Sequence, residues 1–327
     1  MTERRRDPLS GEWRTFASHR QDRTFLPAAD ACPLCPGSDT EVPERAAGDI
    51  VVFDNRFPSF SANPPSPSVD ATGLYEVEPA VGAAEVVVYS DRHDATITDL
   101  GPDGIERLVH VWADRYAVLG ARDEVQYVFI FENRGEAVGV TLHHPHGQIY
   151  AYPEIPPMVR RDLDSARRHH DVHGTCVVCD VVAAERAAGA RVVARNRSFL
   201  AFVPFAARFP YELHITAHRH AASLLDLSDL ERRHLAELLD VVVRGYDALF
   251  GFPLPYVMSM RQSPTDDGEW QDVSHLHVQL TPLHRTADKL KFLAGSELHA
   301  GAYVTDAAPE ATAADLRRAV AEAASTT

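Results

Sequence analysis

His144-Pro145-His146-Gly147-Gln148 and His275-Leu276-His277-Val278-Gln279 are two versions of one string, HxHxQ, one in each half of the chain. Alternate residues of a strand face the same way, so His144, His146 and Gln148 share a face. Pro145 cannot donate to a sheet ladder, which places it at an edge or strand end. Gly147 reads as room for a substrate to approach the backbone. Working outward, the surroundings repeat as well. A strand precedes each string, 126–131 and 255–260. Before each strand comes a helix, opened by Asp103 with Glu106 and by Ser228 with Glu231, which read as N-cap and capping-box partners. In the second helix Leu235, Leu238, Leu239, Val242 and Tyr246 make one apolar face. Further out lie Arg92-His93 and Arg219-His220 behind strands 85–89 and 212–216. Beyond them are two apolar strands with a terminal Asn, 50–56 and 191–197. Outermost are two CxxC pairs, Cys32/Cys35 and Cys176/Cys179. Six landmarks in the same order twice indicate a duplicated unit.

The halves divide near Tyr152-Pro153, where Pro156 and Pro157 also punctuate the chain. This gives an N-terminal domain, 1–154, and a C-terminal domain, 155–327. The segment 59–73 reads as a surface loop of the first half alone, and 309–325 as a terminal helix. The expected class is α+β, two similar domains side by side, each an antiparallel sheet with packed helices.

The chain has 327 residues, 45% hydrophobic and 24% charged, with a formal net charge of −15. This hydrophobic content argues against disorder. An acidic balance argues against a general nucleic-acid or membrane-surface partner, both of which need a basic excess. Nothing approaches the apolar length of a membrane span. The polar N-terminus, with Arg4, Arg5 and Arg6, is unlike a secretory signal. The expected location is the cytoplasm, where stable disulfides are uncommon.

The four cysteines are then free, redox-active or metal-bound, and their duplication with a matched pair of histidines favours metal ligands. Cys32, Cys35, His93 and His144 make one set, and Cys176, Cys179, His220 and His275 the other, with His214 and His218 competing for the place of His220. Two Cys and two His close a tetrahedral zinc site with no open position. Two structural Zn2+ ions per chain are expected, tying distant segments together. With His144 held by metal, its neighbour His146 is fixed and free to react. A neutral imidazole is a good nucleophile toward a phosphoanhydride. Gln148 offers an amide N–H to a phosphate oxygen. Arg20 and Arg23, three apart upstream, offer positive charge that can hold phosphate oxygens, while spacing alone reads them as a solvated basic turn.

The chain resembles the galactose-1-phosphate uridylyltransferases of the histidine-triad superfamily. The resemblance rests on Arg6-Asp7-Pro8-Leu9, Ser18-His19-Arg20, Cys32-Pro33-Leu34-Cys35, Phe53-Asp54-Asn55-Arg56-Phe57-Pro58, Phe131-Glu132-Asn133-Arg134-Gly135, the HPHGQ string, Lys291-Phe292 and Gly295-Ser296-Glu297. It implies two tandem histidine-triad-like domains and a homodimer whose active sites draw on both subunits. It also implies a ping-pong transfer: His146 takes UMP from UDP-glucose, releases glucose 1-phosphate, and passes UMP to galactose 1-phosphate in galactose metabolism. Gln148 then steadies the phosphoryl oxygens. Arg20 and Arg23 resemble the phosphate-side arginines, Asn55 with Phe53 the uridine contact, Asn133 the phosphate-side asparagine, and Lys291 and Glu297 the hexose-phosphate residues.

Some positions depart from the family pattern. Ser296 stands for a Tyr, Tyr303 for a Gln, and Arg56 for an acidic residue. Arg261 replaces a histidine, and Asp162 lies near the position of a glutamate, of a second metal site that many members carry. The Cys176/Cys179 pair resembles instead a branch with a second zinc on two Cys and two His, which includes enzymes acting on ADP-glucose. Two alternatives follow: an adenylyltransferase or nucleotide-sugar phosphorylase, and a zinc-stabilised nucleotide-binding sensor. The intact HPHGQ string favours an enzyme.

Overall fold

The computed structural model describes residues 2–22, 25–27, 31–37 and 50–326. The first half contains β1 (Thr2–Arg6), β2 (Trp13–Ala17), β3 (Val51–Asp54), β4 (Val77–Pro79), β5 (Ala83–Val88), α1 (Gly101–Gly120), β6 (Tyr127–Arg134) and β7 (His146–Tyr152). The second contains α2 (Pro157–His173), α3 (Val177–Ala188), β8 (Val192–Arg195), β9 (Phe199–Phe202), β10 (Leu213–Ala217), α4 (Asp229–Phe250), β11 (Tyr256–Arg261), β12 (His277–Pro282), β13 (His284–Thr286), β14 (Lys289–Leu290), α5 (Gly295–Ala300) and α6 (Pro309–Thr326).

Nine strands form one antiparallel sheet in the order β3-β5-β7-β6-β11-β12-β10-β9-β8. The α+β class is as expected. The two halves share the sheet, because β6 pairs with β11. A second sheet, β2-β1-β4, and the hairpin β13–β14 stand apart from it. One continuous apolar core lies between the large sheet and the helices. It contains Leu108, Val109 and Trp112 of α1, Leu235, Leu239 and Val243 of α4 and Leu316 of α6, against Ile130, Ile149, Met258 and Val278. A smaller core on the opposite face joins Val159, Leu163 and Ala166 of α2 to Tyr127, Trp270 and Val273.

The pairing reveals a pseudo-two-fold axis. Phe131 pairs with Ser259 across the seam. Phe131 also pairs with Gln148, and Ser259 with Gln279. The two glutamines are thus equivalent, and so are Asn133 and Arg261, Glu132 and Met260. Gln148 in turn pairs with Val86, and Gln279 with His214. Val86 pairs with Phe53, and His214 with Phe202. The counterpart of β3 is therefore β9, not the 191–197 segment that the Asn landmark suggested. β8 is an extra edge strand of the second half.

Helix starts follow local chemistry in two ways. Ser228 caps α4 as expected: its Oγ accepts from Glu231 N at 3.3 Å and Glu231 Oε2 accepts from Ser228 N at 2.9 Å. Asp103 is no cap, because α1 already begins at Gly101. Asp103 and Glu106 both hold Arg233 of α4 instead, the latter at 2.8 Å. The shared signal lies one turn earlier, where Asp99 accepts from Thr96 N at 2.7 Å and Asp226 from Ser223 N at 2.8 Å.

Candidate active site

β7 alternates between half-buried and buried residues. His146, Gln148, Tyr150 and Tyr152 face away from the core, and Gly147, Ile149 and Ala151 face into it. His146 Nδ1 donates to the His144 carbonyl at 2.7 Å. Its Nε2 is left for chemistry, with no hydrogen bond to it among the described residues. Burial holds the His146 pKa below the ordinary histidine value, and the bond to the His144 carbonyl partly opposes that. The ring is neutral near pH 7, as a nucleophile requires.

Gly147 has a different reason from the one read in the sequence. A Cβ there would lie 2.2 Å from the Tyr89 hydroxyl and 3.2 Å from the Phe131 carbonyl. The glycine makes room for Tyr89 on the core side and leaves the substrate side unchanged. Beneath the strand, Tyr256 donates to Glu132 Oε1 at 3.1 Å. Burial pushes the Glu132 carboxyl up to about 7, partly opposed by Arg134.

Arg20 lies over this outward face. Its Nη1 donates to the Phe57 carbonyl at 3.1 Å, Ser59 Oγ at 2.9 Å and Tyr150 Oη at 3.1 Å. Asn55 Oδ1 accepts from Phe57 N at 2.9 Å, closing the turn after β3. Phe53 packs on the cluster of Cys32, Leu34, Val86 and Val88. Asn133 shares a cavity of about 370 Å³ with His144, Pro145 and His146. Arg23 lies outside the described residues. Lys291 and Glu297 do not join the site in this chain. Lys291 Nζ pairs with Glu297 at 3.4 Å and with the Val304 carbonyl, and no contact links either residue to His146 among the described residues.

Both sets of metal-ligand candidates assemble, each with its four ligand atoms within 4.8 Å of one another. Cys35 Sγ is 3.5 Å from Nδ1 of both His93 and His144. Cys179 Sγ is 3.6 Å from His220 Nδ1 and 3.4 Å from His275 Nδ1. Zinc bonds of about 2.3 Å to sulfur and about 2.0–2.1 Å to nitrogen, at tetrahedral angles, place S and N about 3.5 Å apart. The donors therefore fit a tetrahedral ion. The outer ring nitrogens support the same reading: His144 Nε2 donates to the Ser90 carbonyl and His220 Nε2 to the Gln271 carbonyl, both at 2.7 Å, which orients each Nδ1 inward. Of the three histidines that competed in the second set, His220 is the one in the cluster. His214 turns to Glu212 at 3.3 Å and His218 to the Asn196 carbonyl at 3.1 Å.

In the family comparison, the galactose-1-phosphate uridyl transferase N-terminal domain matches residues 1–156 and the C-terminal domain of the same family residues 162–326. The chain belongs to the galactose-1-phosphate uridylyltransferase family. A galactose-1-phosphate uridylyltransferase of Thermotoga maritima is 38% identical over 98% of this chain and 100% of its own length. A solved uridylyltransferase structure superposes with a TM-score of 0.89 at 36% identity, covering 98% of this chain and 99% of the other. An ADP-glucose phosphorylase from Arabidopsis thaliana, solved with bound ADP-glucose, gives 0.74 at 25% identity, covering 97% and 98%.

Three features of this galactose-1-phosphate uridylyltransferase family member went unread in the sequence. Tyr150 anchors Arg20. Phe129 and Phe131 stack at 5.2 Å, and Phe131 meets Tyr150 edge-on at 5.1 Å, giving the outward face an aromatic floor. The two-residue spacing of Phe129 and Phe131 in β6, and of Gln148 and Tyr150 in β7, carries that signal.

Proposed function

We propose that the chain moves UMP from UDP-glucose to galactose 1-phosphate through a uridylyl group carried on His146. His146 Nε2 attacks the α-phosphorus. The bond from that phosphorus to the bridging oxygen breaks, and glucose 1-phosphate leaves with the oxygen. A phosphate oxygen of galactose 1-phosphate then attacks the same phosphorus, the P–N bond breaks, and UDP-galactose forms. The observation that carries this reading is the orientation of His146: Nδ1 is tied to the carbonyl of His144, whose own ring lies in a Cys2His2 cluster. We assign Gln148 and Arg20 to the phosphoryl oxygens, joined by Arg23 and Asn133. Asn55 and Phe53 take the uridine.

The clusters Cys32, Cys35, His93, His144 and Cys176, Cys179, His220, His275 would each hold Zn2+. A bound ion contributes structural cross-linking, and in the first cluster it fixes His144 and so the carbonyl that orients His146. Cys176 at the N-cap of α3 with Cys179 in its first turn, and the turn-borne Cys32 and Cys35, reach the same donor set by different backbones.

Lys291 and Glu297 pair within the second half, beside Phe292 and Leu298, which are exposed by 77% and 65%. This supports a homodimer in which they serve the partner's sugar phosphate. The register mirrored about Phe131 and Ser259 supports two histidine-triad-like units, 1–154 and 155–327. A cytoplasmic location accords with the absence, among the described residues, of any helix long and apolar enough to cross a membrane.

ADP-glucose is the second reading for the donor, favoured by the likeness to an ADP-glucose phosphorylase and by the second Cys2His2 cluster. A passive sensor would have no use for an open Nε2. Exchange of labelled glucose 1-phosphate into UDP-glucose tests the first half-reaction alone. Exchange with UDP-glucose should exceed that with ADP-glucose. The reverse order would reassign the base and leave the covalent route standing.

A further inference from the structure

The second half contains a cavity of about 500 Å³ on the same sheet face as His146. Its polar end is built from Arg261, His277 and Gln279, the counterparts of Asn133, His146 and Gln148. Met158, Val159 and Leu163 of α2 form an apolar wall.

The charges at the polar end are unevenly matched. Arg208 Nη2 donates to Glu212 at 3.0 Å, and His214 lies 3.3 Å from the same carboxylate. Burial alone would raise the Glu212 pKa, but the His214 bond and the Arg208 charge bring it down to about 2, so it stays ionised and fully engaged. Arg261 has no such partner. Among the described residues no carboxylate lies within salt-bridge distance of it, and its Nε is buried without an acceptor. The half-buried guanidinium lies over the Phe129 ring; it is always charged, and its buried, unpaired Nε–H is costly unless an acceptor arrives. Phosphate oxygens match that donor fork.

The histidine at this end is engaged. Gln279 Nε2 donates to His277 Nε2 at 3.1 Å, while His277 Nδ1 donates to the His275 carbonyl at 2.9 Å. Both ring nitrogens are used, so no covalent step is available. The second N–H of the Gln279 amide is left for a ligand oxygen.

We propose that this cavity is a second, non-covalent site for a nucleoside monophosphate, its phosphate held by Arg261 and Gln279 and its nucleoside laid along the α2 wall. The active site uses the same face and the same glutamine for phosphate. Here an arginine stands where that site has Asn133, converting a transfer site into a holding site.

Equilibrium dialysis of the full chain with labelled UMP tests the proposal. Wild type is expected to bind two UMP per chain at saturation. Arg261→Gln should bind one, with wild-type glucose 1-phosphate exchange and a melting temperature of the ligand-free chain no lower than wild type. Gln279→Ala should weaken the second site about tenfold or more, the scale of one lost charge-assisted hydrogen bond, and provides an independent reading if Arg261→Gln folds poorly. Inorganic phosphate is the second probe. UMP should displace it from the second site and bind at least about tenfold more tightly, the effect of burying a nucleoside on an apolar wall. Equal affinity for the two probes would remove the nucleoside from the proposal. One UMP per chain in wild type, or a second site indifferent to both substitutions, would overturn it.

Discussion

On β7, His146 offers Nε2 outward, Gly147 admits Tyr89 beneath, and Glu132 lies buried behind the strand. On β12, His277 has Nε2 capped by Gln279, Val278 fills the core, and Met260 occupies the place of Glu132. The substitutions compensate in volume: Tyr89 over Gly147 in one half becomes Ala217 over Val278 in the other, all buried. The same frame thus carries a polar, glycine-thinned support under its reactive strand in one half and an ordinary apolar core in the other. The comparison separates what the fold requires, which both halves have, from what the chemistry requires, which only the first retains.

The largest contrast is expected between the two histidines. His146→Ala should lower transfer by at least about 10⁴-fold, the scale seen when a covalent nucleophile is removed. His277→Ala should leave the exchange rate within about twofold, because no reacting group touches it. Both should retain two zinc ions by elemental analysis. Comparable losses in the two variants would erase the distinction between the two halves.

The cysteines divide differently. Cys32→Ser and Cys176→Ser should each remove one zinc per chain and lower the melting temperature, since ligand loss forfeits folding free energy. Only Cys32→Ser should also slow the chemistry of the folded fraction, through His144 and His146. Equal specific activities in the two folded variants would break that link.

The glutamines give the next effect. Gln148→Ala should slow transfer on the order of 10²–10³-fold, the effect of one lost transition-state donor. Gln279→Ala should leave turnover near wild type.

Glu132 has a pH signature that Met260 cannot have. Its folded pKa of about 7 stands above the unfolded carboxylate value. The folded chain therefore holds a proton that the unfolded chain has lost, and stability falls as pH rises from about 4.5 to about 7. Glu132→Gln should remove that slope and gain on the order of 3 kcal/mol relative to wild type between pH 5 and pH 8. Denaturant melts at the two pH values read it directly.

The smallest effect is steric. Gly147→Ala should cost about 1–3 kcal/mol by overpacking against the Tyr89 hydroxyl. Tyr89→Phe in the same chain should recover part of that, whereas Val278→Ala should lose stability by leaving a cavity. A Gly147→Ala cost untouched by Tyr89→Phe would place the strain elsewhere.

Much of this was legible from spacing. The duplicated Cys-Cys-His-His order names both metal clusters, because ligand type and count are carried by residue identity. Ser228 with Glu231 marks a helix start, because the capping box is local. Other features depend on which elements pair. The seam between β6 and β11 joins segments distant in the chain, so the shared sheet was not visible. The Asn55 and Asn196 turns look alike in sequence, yet β3 answers to β9 in the register. Gly147 signals a close approach without saying from which face, and Tyr89 decides it. Arg261 reads as a substituted metal position and becomes informative only when the register makes it the counterpart of Asn133.

The central claim is that His146, and no other residue, carries the nucleotidyl group. Intact-mass measurement after incubation with UDP-glucose, followed by peptide mapping under conditions that preserve the P–N bond, tests it most directly. The expected result is one added uridylyl group per chain on the peptide containing His146, absent from His146→Ala and removed by galactose 1-phosphate. A uridylyl group mapped to His277 or to any other residue, or steady turnover with no adduct at all, would contradict the account.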